Sequence, residues 1–560
     1  MKSKNQLILP YFTAILLGLL INTSLSQAQS DNNGSKRVTT SYFLSGATII
    51  PYPGKILSEY DILFKNGVIV KIGKNLQPPS NAKEINGKSL FVYPGFIDFG
   101  NKTGVQAPEL PEKPSNFDTS NPSPEIAGIH PHFSSTKHYK FDENLEEEWR
   151  KLGFSMGQKL PEGQGMLPGS TAVVIYGNAE NNNLLSSVQS QYFQFSTIRG
   201  LYPHTKLAVM AKWRDLYQNT VLYQESLKLY EKNKHIGRIK EDPVLDALIP
   251  VTQNSKSLLV LVNSELDQRR AIKMKDENNL KLILLGVNEG SSVIPLIKSK
   301  EIGVVLSLDL PKDNFTDSLP KTEQGEDYDA LIKRGKNAYQ EALSLASKYE
   351  KENIPFAFSS LGVDKKDLFK NISLMIENGL SKEAALAALT TNPAKLLGID
   401  EISGSISPGK MANMVVMTDS LFTEEGKVKM VISDGYLFDY SEDTKLSDAK
   451  SQVWNYAAET PVGQSKGTWE FFQKDNKWEG TVSYDSPKGT GNKKSEMKDL
   501  VKTEEGLSFS FTVETNEEVL EVTVSGDIDQ NKFDGKMNIK GYSQFIVKAS
   551  KEEKPNKNHE

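Results

Sequence analysis

The chain of 560 residues contains no cysteine. That excludes a disulfide framework, a thiolate nucleophile, any cysteine-based zinc site and lipid attachment through an N-terminal cysteine. Histidine is scarce, with only His130, His132, His138, His204, His235 and His559 in the whole sequence. An excess of positive charge is missing as well. Basic side chains number 66 against 71 acidic ones, the formal net charge is −5, and no basic stripe stands out, which argues against a nucleic-acid partner. No glycine-rich phosphate loop is present, since Gly163-Gln164-Gly165 lacks the remaining glycines and the lysine.

What is present fits a globular protein: 38% hydrophobic and 24% charged residues. The length allows two to four domains, each stabilised by an ordinary buried core. At the N-terminus Lys2 and Lys4 precede an apolar run from Leu7 to Ile21, and Ser26-Gln27-Ala28 offers small residues for cleavage. The run is about 15 residues, short of the ~20 that a spanning helix needs. Residues 1–28 therefore read as a signal peptide. The expected mature chain starts near Gln29, is exported (periplasmic or secreted) and has no membrane span after cleavage.

Short strand-like runs follow, at Tyr42 to Pro51, Tyr60 to Lys65, Val68 to Ile72 and Ser89 to Tyr93. Asn66-Gly67 between the second and third is a strong hairpin signal, because both turn positions require positive φ. Residues 105–145 are rich in Pro, Ser and Asn with little periodicity and read as a long loop or insertion. From about 150 the pattern changes to apolar strands alternating with helices: Ala172 to Tyr176, Leu258 to Val262, Leu282 to Val287, Ile302 to Leu308 and Ile354 to Phe358. Continuous apolar strands at βα spacing are buried on both faces, as in a parallel sheet or barrel. Residues 328–349 predict an amphipathic helix, and Ser381 is placed to cap another. Asn392-Pro393 predicts a helix start with Asn as cap, and Gly398 its end. Alternation in Leu507 to Val513 and Val519 to Val524 marks a separate all-β unit over 466–549.

Two blocks, one near each end of residues 42–440, carry a family resemblance. Ala47-Thr48-Ile49-Ile50-Pro51, Asp61 to Ile69, and Phe91-Val92-Tyr93-Pro94-Gly95-Phe96-Ile97-Asp98 resemble the opening of the metal-dependent amidohydrolase superfamily. Ala387 to Gly398 followed by Gly404 to Asn413 resembles its close. The resemblance implies an α/β fold: a (β/α)8 TIM barrel over 94–401, with the insertion at about 105–145, flanked by a small composite β-sandwich from 39–93 and 402–440. A linker over 441–465, the all-β domain over 466–549 and a disordered tail over 550–560 complete the expected organisation. Tyr202-Pro203 and Gly163 to Gly169 are similar to the N-terminal half of tandem, exported, imidazolonepropionase-related members. Gly467-Thr468-Trp469 resembles the start of a β-domain often attached to such chains.

In this family one or two divalent metals, zinc or a similar ion, sit at the C-terminal mouth of the barrel and activate a water. The resemblance implies ligands from a His-x-His after the first barrel strand, a Lys or Glu from a middle strand, His on two later strands and an Asp at the last. The matching positions differ. After Asp98 stand Phe99-Gly100-Asn101; the later strands lead into Asn263 and Asn288; the last leads into Ser359-Ser360 with no Asp before Asp364. Phe has no donor atom and an amide is a poor zinc ligand. No metal or cofactor is therefore expected, and the positions at the would-be site are Asp98, Phe99, Asn101, Asn263, Asn288 and Ser360. Asp98 could act as a base or simply orient the strand end. Ser360 has no nearby His to activate it. The histidines of the insertion lack a strand to fix them.

These residues imply a catalytically degenerate amidohydrolase-type barrel, a pseudoenzyme. Its expected role is that of binding or structural partner to an active amidohydrolase barrel, as a homo- or hetero-oligomer, with a small amide-containing ligand bound through Asn101, Asn263 and Asn288. The alternative is an active hydrolase of carbon–nitrogen bonds in an imide, hydantoin or dipeptide-like substrate. A glycan-directed role would rest only on the added β-domain and the export signal.

Overall fold

The computed structural model describes residues 41–109, 118–178, 183–185, 190–311, 326–441, 452–460, 463–474, 477–485, 492–503, 506–514, 519–539 and 544–551. The signal peptide and the charged tail expected at the two ends lie outside the described residues. The chain divides into two compact units, residues 1–439 and 440–560.

The first unit opens with β1 (Ser41–Tyr52), β2 (Lys55–Lys65), β3 (Val68–Gly73), β4 (Lys83–Asn86) and β5 (Phe91–Pro94). The β2–β3 turn has Asn66 at φ 52° and Gly67 at φ 76°, the doubly left-handed geometry that the Asn-Gly pair calls for. At Gly95 the chain turns into β6 (Phe96–Asn101). A Cβ there would lie 2.3 Å from Ser155 Oγ and 2.6 Å from Ser155 Cβ, so glycine leaves the space that the Ser155 side chain fills.

Beyond it run β7 (Phe154–Lys159), β8 (Gly169–Ser170), β9 (Ala172–Ile175), β10 (Leu184–Leu185), β11 (Gln191–Gln194), β12 (Leu258–Leu261), β13 (Leu282–Val287), β14 (Gly303–Ser307) and β15 (Phe356–Ser359). From β11 to β15 each strand is parallel to the next. Helices Glu265–Asn278, Ile294–Ser299 and Glu326–Lys351 connect the last four. This is the βα spacing legible in the sequence.

The earlier part departs from a regular repeat. β6 and β7 are parallel, but β9 runs antiparallel to β7, and β8 antiparallel to β11. Between β7 and β9 the chain passes through β8 and contains no helix, so the βα unit that would return a parallel strand is absent there. The two sheets adjoin where β8 meets β9 and again where Ser359 Oγ donates to the Gly100 carbonyl at 2.9 Å. Between them lie Phe99, Leu160, Tyr192, Leu259, Ile283, Leu285, Val305 and Ala357, a contiguous buried cluster.

Ser381 caps helix Lys382–Leu389 as its side chain suggests, accepting from the Ala384 N–H at 3.0 Å. The following helix corrects the sequence expectation. It spans Thr391–Leu397 with Thr390 before it, so Asn392 lies inside, where its Nδ2 donates to the Phe356 carbonyl at 2.8 Å. Tertiary contact with β15 takes the side chain that would otherwise cap. The chain then returns through β16 (Met414–Met417), β17 (Val428–Ser433) and β18 (Tyr436–Asp439), and β16 pairs antiparallel with β5. Strands from both ends thus share one eight-stranded sheet.

The insertion is also more ordered than its composition suggests. Among its described residues Ile129 bridges Leu167, Ser134 bridges Ser170, a short helix spans Ser135–His138, and Ile129 and Ser135 are buried.

The second unit is a nine-stranded antiparallel meander, a nearly closed barrel: β19 (Gln452–Thr460), β20 (Gly463–Lys474), β21 (Lys477–Asp485), β22 (Asn492–Glu496), β23 (Lys498–Lys502), β24 (Gly506–Glu514), β25 (Val519–Asp529), β26 (Lys532–Ile539) and β27 (Gln544–Lys551). Its first strand lies within the stretch read as a linker over 441–465, which is the correction here. Gln452–Thr460 alternates, and its inward Trp454 and Tyr456 belong to the core with Trp469, Phe509 and Phe533. Polar outward residues such as Asn455 and Glu459 hid that pattern.

Candidate functional centre at the strand ends

β6 ends in a bulge. Its register against β7 shifts between Asp98 and Asn101, and Gly100 sits at φ 117°. In a regular strand positions 98 and 101 face opposite sides. The bulge turns them to the same side and sends Phe99, fully buried, into the apolar cluster.

Asp98 is 2% exposed and all its bonds are internal. Its Oδ1 accepts from the Ser360 N–H at 2.9 Å. Its Oδ2 accepts from Ser360 Oγ at 2.8 Å and from Asn101 Nδ2 at 2.6 Å. Asn101 is saturated. Its Nδ2 also donates to Tyr176 Oη at 3.3 Å, and its Oδ1 accepts from Lys159 Nζ at 3.1 Å and from the Thr103 N–H at 3.0 Å. An amide offers two donors and two lone pairs, and here all four are used.

Lys159, at the end of β7, is the register partner of Asn101 and is 1% exposed. Around its Nζ lie the rings of Tyr176 at 4.9 Å, Tyr139 at 5.8 Å and Trp149 at 6.0 Å. Burial pushes its ammonium down to about 8, while the charges of Glu146 and Asp98 pull it back up. Burial raises the Asp98 carboxyl, against the opposing pull of its hydrogen bonds and of Lys159. The Glu146 carboxyl is also raised by burial and held back most by Lys159.

Glu146 comes from helix Glu143–Lys151, which presents Glu146, Trp149 and Arg150 on one buried face. Tyr139 Oη donates to Glu146 Oε1. The Arg150 guanidinium pairs with Glu143, donates to the Gly177 carbonyl at 3.2 Å and stacks 3.9 Å from the Phe438 ring.

The structure thus brings together three of the six positions read from sequence, Asp98, Asn101 and Ser360. Phe99 is nearby but serves the core. Asn263 is exposed in the bend after β12, and Asn288 is half-buried after β13. Of the three amides expected to share a binding mouth, Asn101 has all its donors and acceptors engaged internally. Sequence reasoning missed Lys159, Glu146, Tyr139 and Tyr176. The available signal was a lysine closing Phe154-Ser155-Met156-Gly157-Gln158-Lys159, a strand whose small and polar residues hid it.

The donors of this centre do not fit a divalent metal. Phe99 offers none, the oxygens of Asp98 and Asn101 are committed, and a buried ammonium sits 3.1 Å from the Asn101 oxygen. Among the described residues no group of three or more His, Asp or Glu is placed to hold a metal ion. In the insertion His130 is buried with Nε2 2.8 Å from the Glu125 carbonyl, and the His138 ring stacks 3.9 Å from that of Phe133.

An amidohydrolase family domain is matched over residues 292–437, which include Ser360 but not Asp98, Phe99 or Asn101. An amidohydrolase from Thermotoga maritima is similar in fold, with TM-score 0.58 at 20% identity over 71% of this chain and 100% of that one. A prolidase complexed with N-methylphosphonate-L-proline aligns with TM-score 0.42 at 13% identity, over 71% of this chain and 100% of its own. A putative prolidase from Bifidobacterium longum aligns with TM-score 0.39 at 14% identity, over 72% and 95%. None of the curated proteins matches.

Proposed function

We propose that this chain is a non-catalytic relative of the amidohydrolases, exported to the periplasm or beyond, whose (β/α)8-type barrel and composite β-sandwich serve as binding or structural partner of an active amidohydrolase barrel. One observation carries the reading. All four hydrogen-bonding sites of Asn101 are filled within the protein, both oxygens of Asp98 accept internal bonds, and the buried Lys159 ammonium stands 3.1 Å from the Asn101 oxygen, so a divalent metal would meet committed oxygens and a cation already in place. Buried polar groups so completely paired act as structure.

The test is metal analysis of the purified mature protein together with assays on Xaa-Pro dipeptides, hydantoins and imides. The expected result is well under one equivalent of zinc or manganese and no hydrolysis above background. One equivalent of metal with turnover would support the other reading, an active carbon–nitrogen hydrolase, which the family match over 292–437 favours. Co-purification with an active amidohydrolase barrel would test the partner role.

A further inference from the structure

The buried charge of this centre is incompletely explained by its hydrogen bonds. Glu146 is 2% exposed, its Oε1 accepts from Tyr139, and its Oε2 has no hydrogen-bond partner among the described residues. Asp98, 2% exposed, is a second buried carboxyl nearby. Isolated carboxylates removed from water are costly, so such groups need a counter-charge. Arg150 is bonded to Glu143 and Gly177 and acts on Glu146 less than Lys159 does, and Lys365 pairs with Glu148 and lies over the Trp149 ring. Lys159 remains: fully enclosed, bonded to Asn101, and electrostatically coupled to both Glu146 and Asp98.

We infer that the Lys159 ammonium is a built-in cation that occupies a cation site formed by Asp98, Glu146, Asn101 and the rings of Tyr139, Trp149 and Tyr176. This rests on the non-catalytic reading above and deepens it. Two carboxyls, an amide oxygen and three aromatic faces are the recognition elements for an alkylammonium ion. The amide oxygen at 3.1 Å and the rings at 4.9 to 6.0 Å surround the end of a side chain of this same chain, and the two carboxyls act on it through their charge. The centre is a ligand site whose ligand is covalently tethered, and taking the tether away should leave a pocket selective for small primary ammonium ions.

Two substitutions separate this from plain packing. Lys159→Met keeps most of the volume and removes the charge. Lys159→Ala removes both and opens the pocket. Melting temperatures are measured for both and for the wild type, in excess n-propylammonium chloride and in equal sodium chloride. The expected result is that Lys159→Met melts roughly 5–10 °C below wild type. Propylammonium should raise the melting temperature of Lys159→Ala by more than about 2 °C over sodium, with no such gain for Lys159→Met or wild type. If Lys159→Ala does not fold, Lys159→Met alone decides.

A Lys159→Met protein as stable as wild type, or a folded Lys159→Ala indifferent to propylammonium, overturns the inference. Failure of the non-catalytic reading looks different: wild type itself would carry stoichiometric metal and hydrolyse substrate, whatever the variants do.

Discussion

The ends of β6, β7 and β15 and the ends of β12 and β13 lie on the same side of a largely parallel sheet system, yet their fates differ. At the first group a carboxylate, an amide, a serine and a lysine, all buried, satisfy one another under aromatic rings. At the second, Asn263 is exposed and Asn288 half-buried, and the adjacent Glu289 spends its side chain on the N–H of Glu265 at a helix start. The contrast teaches that a strand-end position acquires chemistry only through its neighbours. A bulge, a short connection and the helix carrying Glu146 supply them on one side. The other side has plain βα loops.

The comparison can be broken or sharpened by substitution. The largest effect should come from Phe99→Ala, which empties a fully buried site in the apolar cluster and should cost about 3–5 kcal/mol in denaturant unfolding. Asp98→Ala should approach it, at about 3–5 kcal/mol, since it strands the Ser360 N–H and leaves Lys159 short of a counter-charge. Gly100→Ala should cost about 1–3 kcal/mol, because φ 117° is closed to residues with a Cβ and the added atom would crowd Ser359 Oγ at 3.3 Å. Asn263→Ala, on the open side, should stay within about 0.5 kcal/mol of wild type. An equal loss at Asn263 and Asp98 would erase the distinction between the two groups.

Lys159 also gives the sealed side a pH signature. Its folded pKa of about 8 lies below the ~10.4 of an unfolded lysine. Between those values the unfolded chain binds more protons, so the desolvation cost of the ammonium is carried in full below pH ~8 and is relieved as pH rises toward ~10.4. The stability advantage of wild type over Lys159→Met should therefore grow across that window, as read by paired urea titrations. A flat difference would mean the amine titrates normally.

Much of the scaffold is legible in the sequence because its causes are local. Asn66-Gly67 dictates a doubly left-handed turn, Ser381 reaches its own helix N-terminus, and apolar runs at 258, 282 and 302 can only be buried strands. The centre is half legible. Asp98, Asn101 and Ser360 could be named because they end apolar strands. That they face one another depends on a bulge, which period-two alternation hides, and on Lys159, whose partner Asn101 lies 58 residues away. Asn392 shows the same limit, since its distant partner Phe356 outcompetes the local cap. Asn455 and Glu459 concealed a strand because a meander exposes every second residue.

The strand-end centre is closed to metal because its own side chains engage the oxygens of Asp98 and Asn101 and hold the Lys159 ammonium beside them. Calorimetric titration of zinc into chelator-stripped wild-type protein tests it most directly, with Asp98→Asn as the control. The account predicts no saturable site, and heats no different between the two proteins. One equivalent bound by wild type and lost in Asp98→Asn would contradict it.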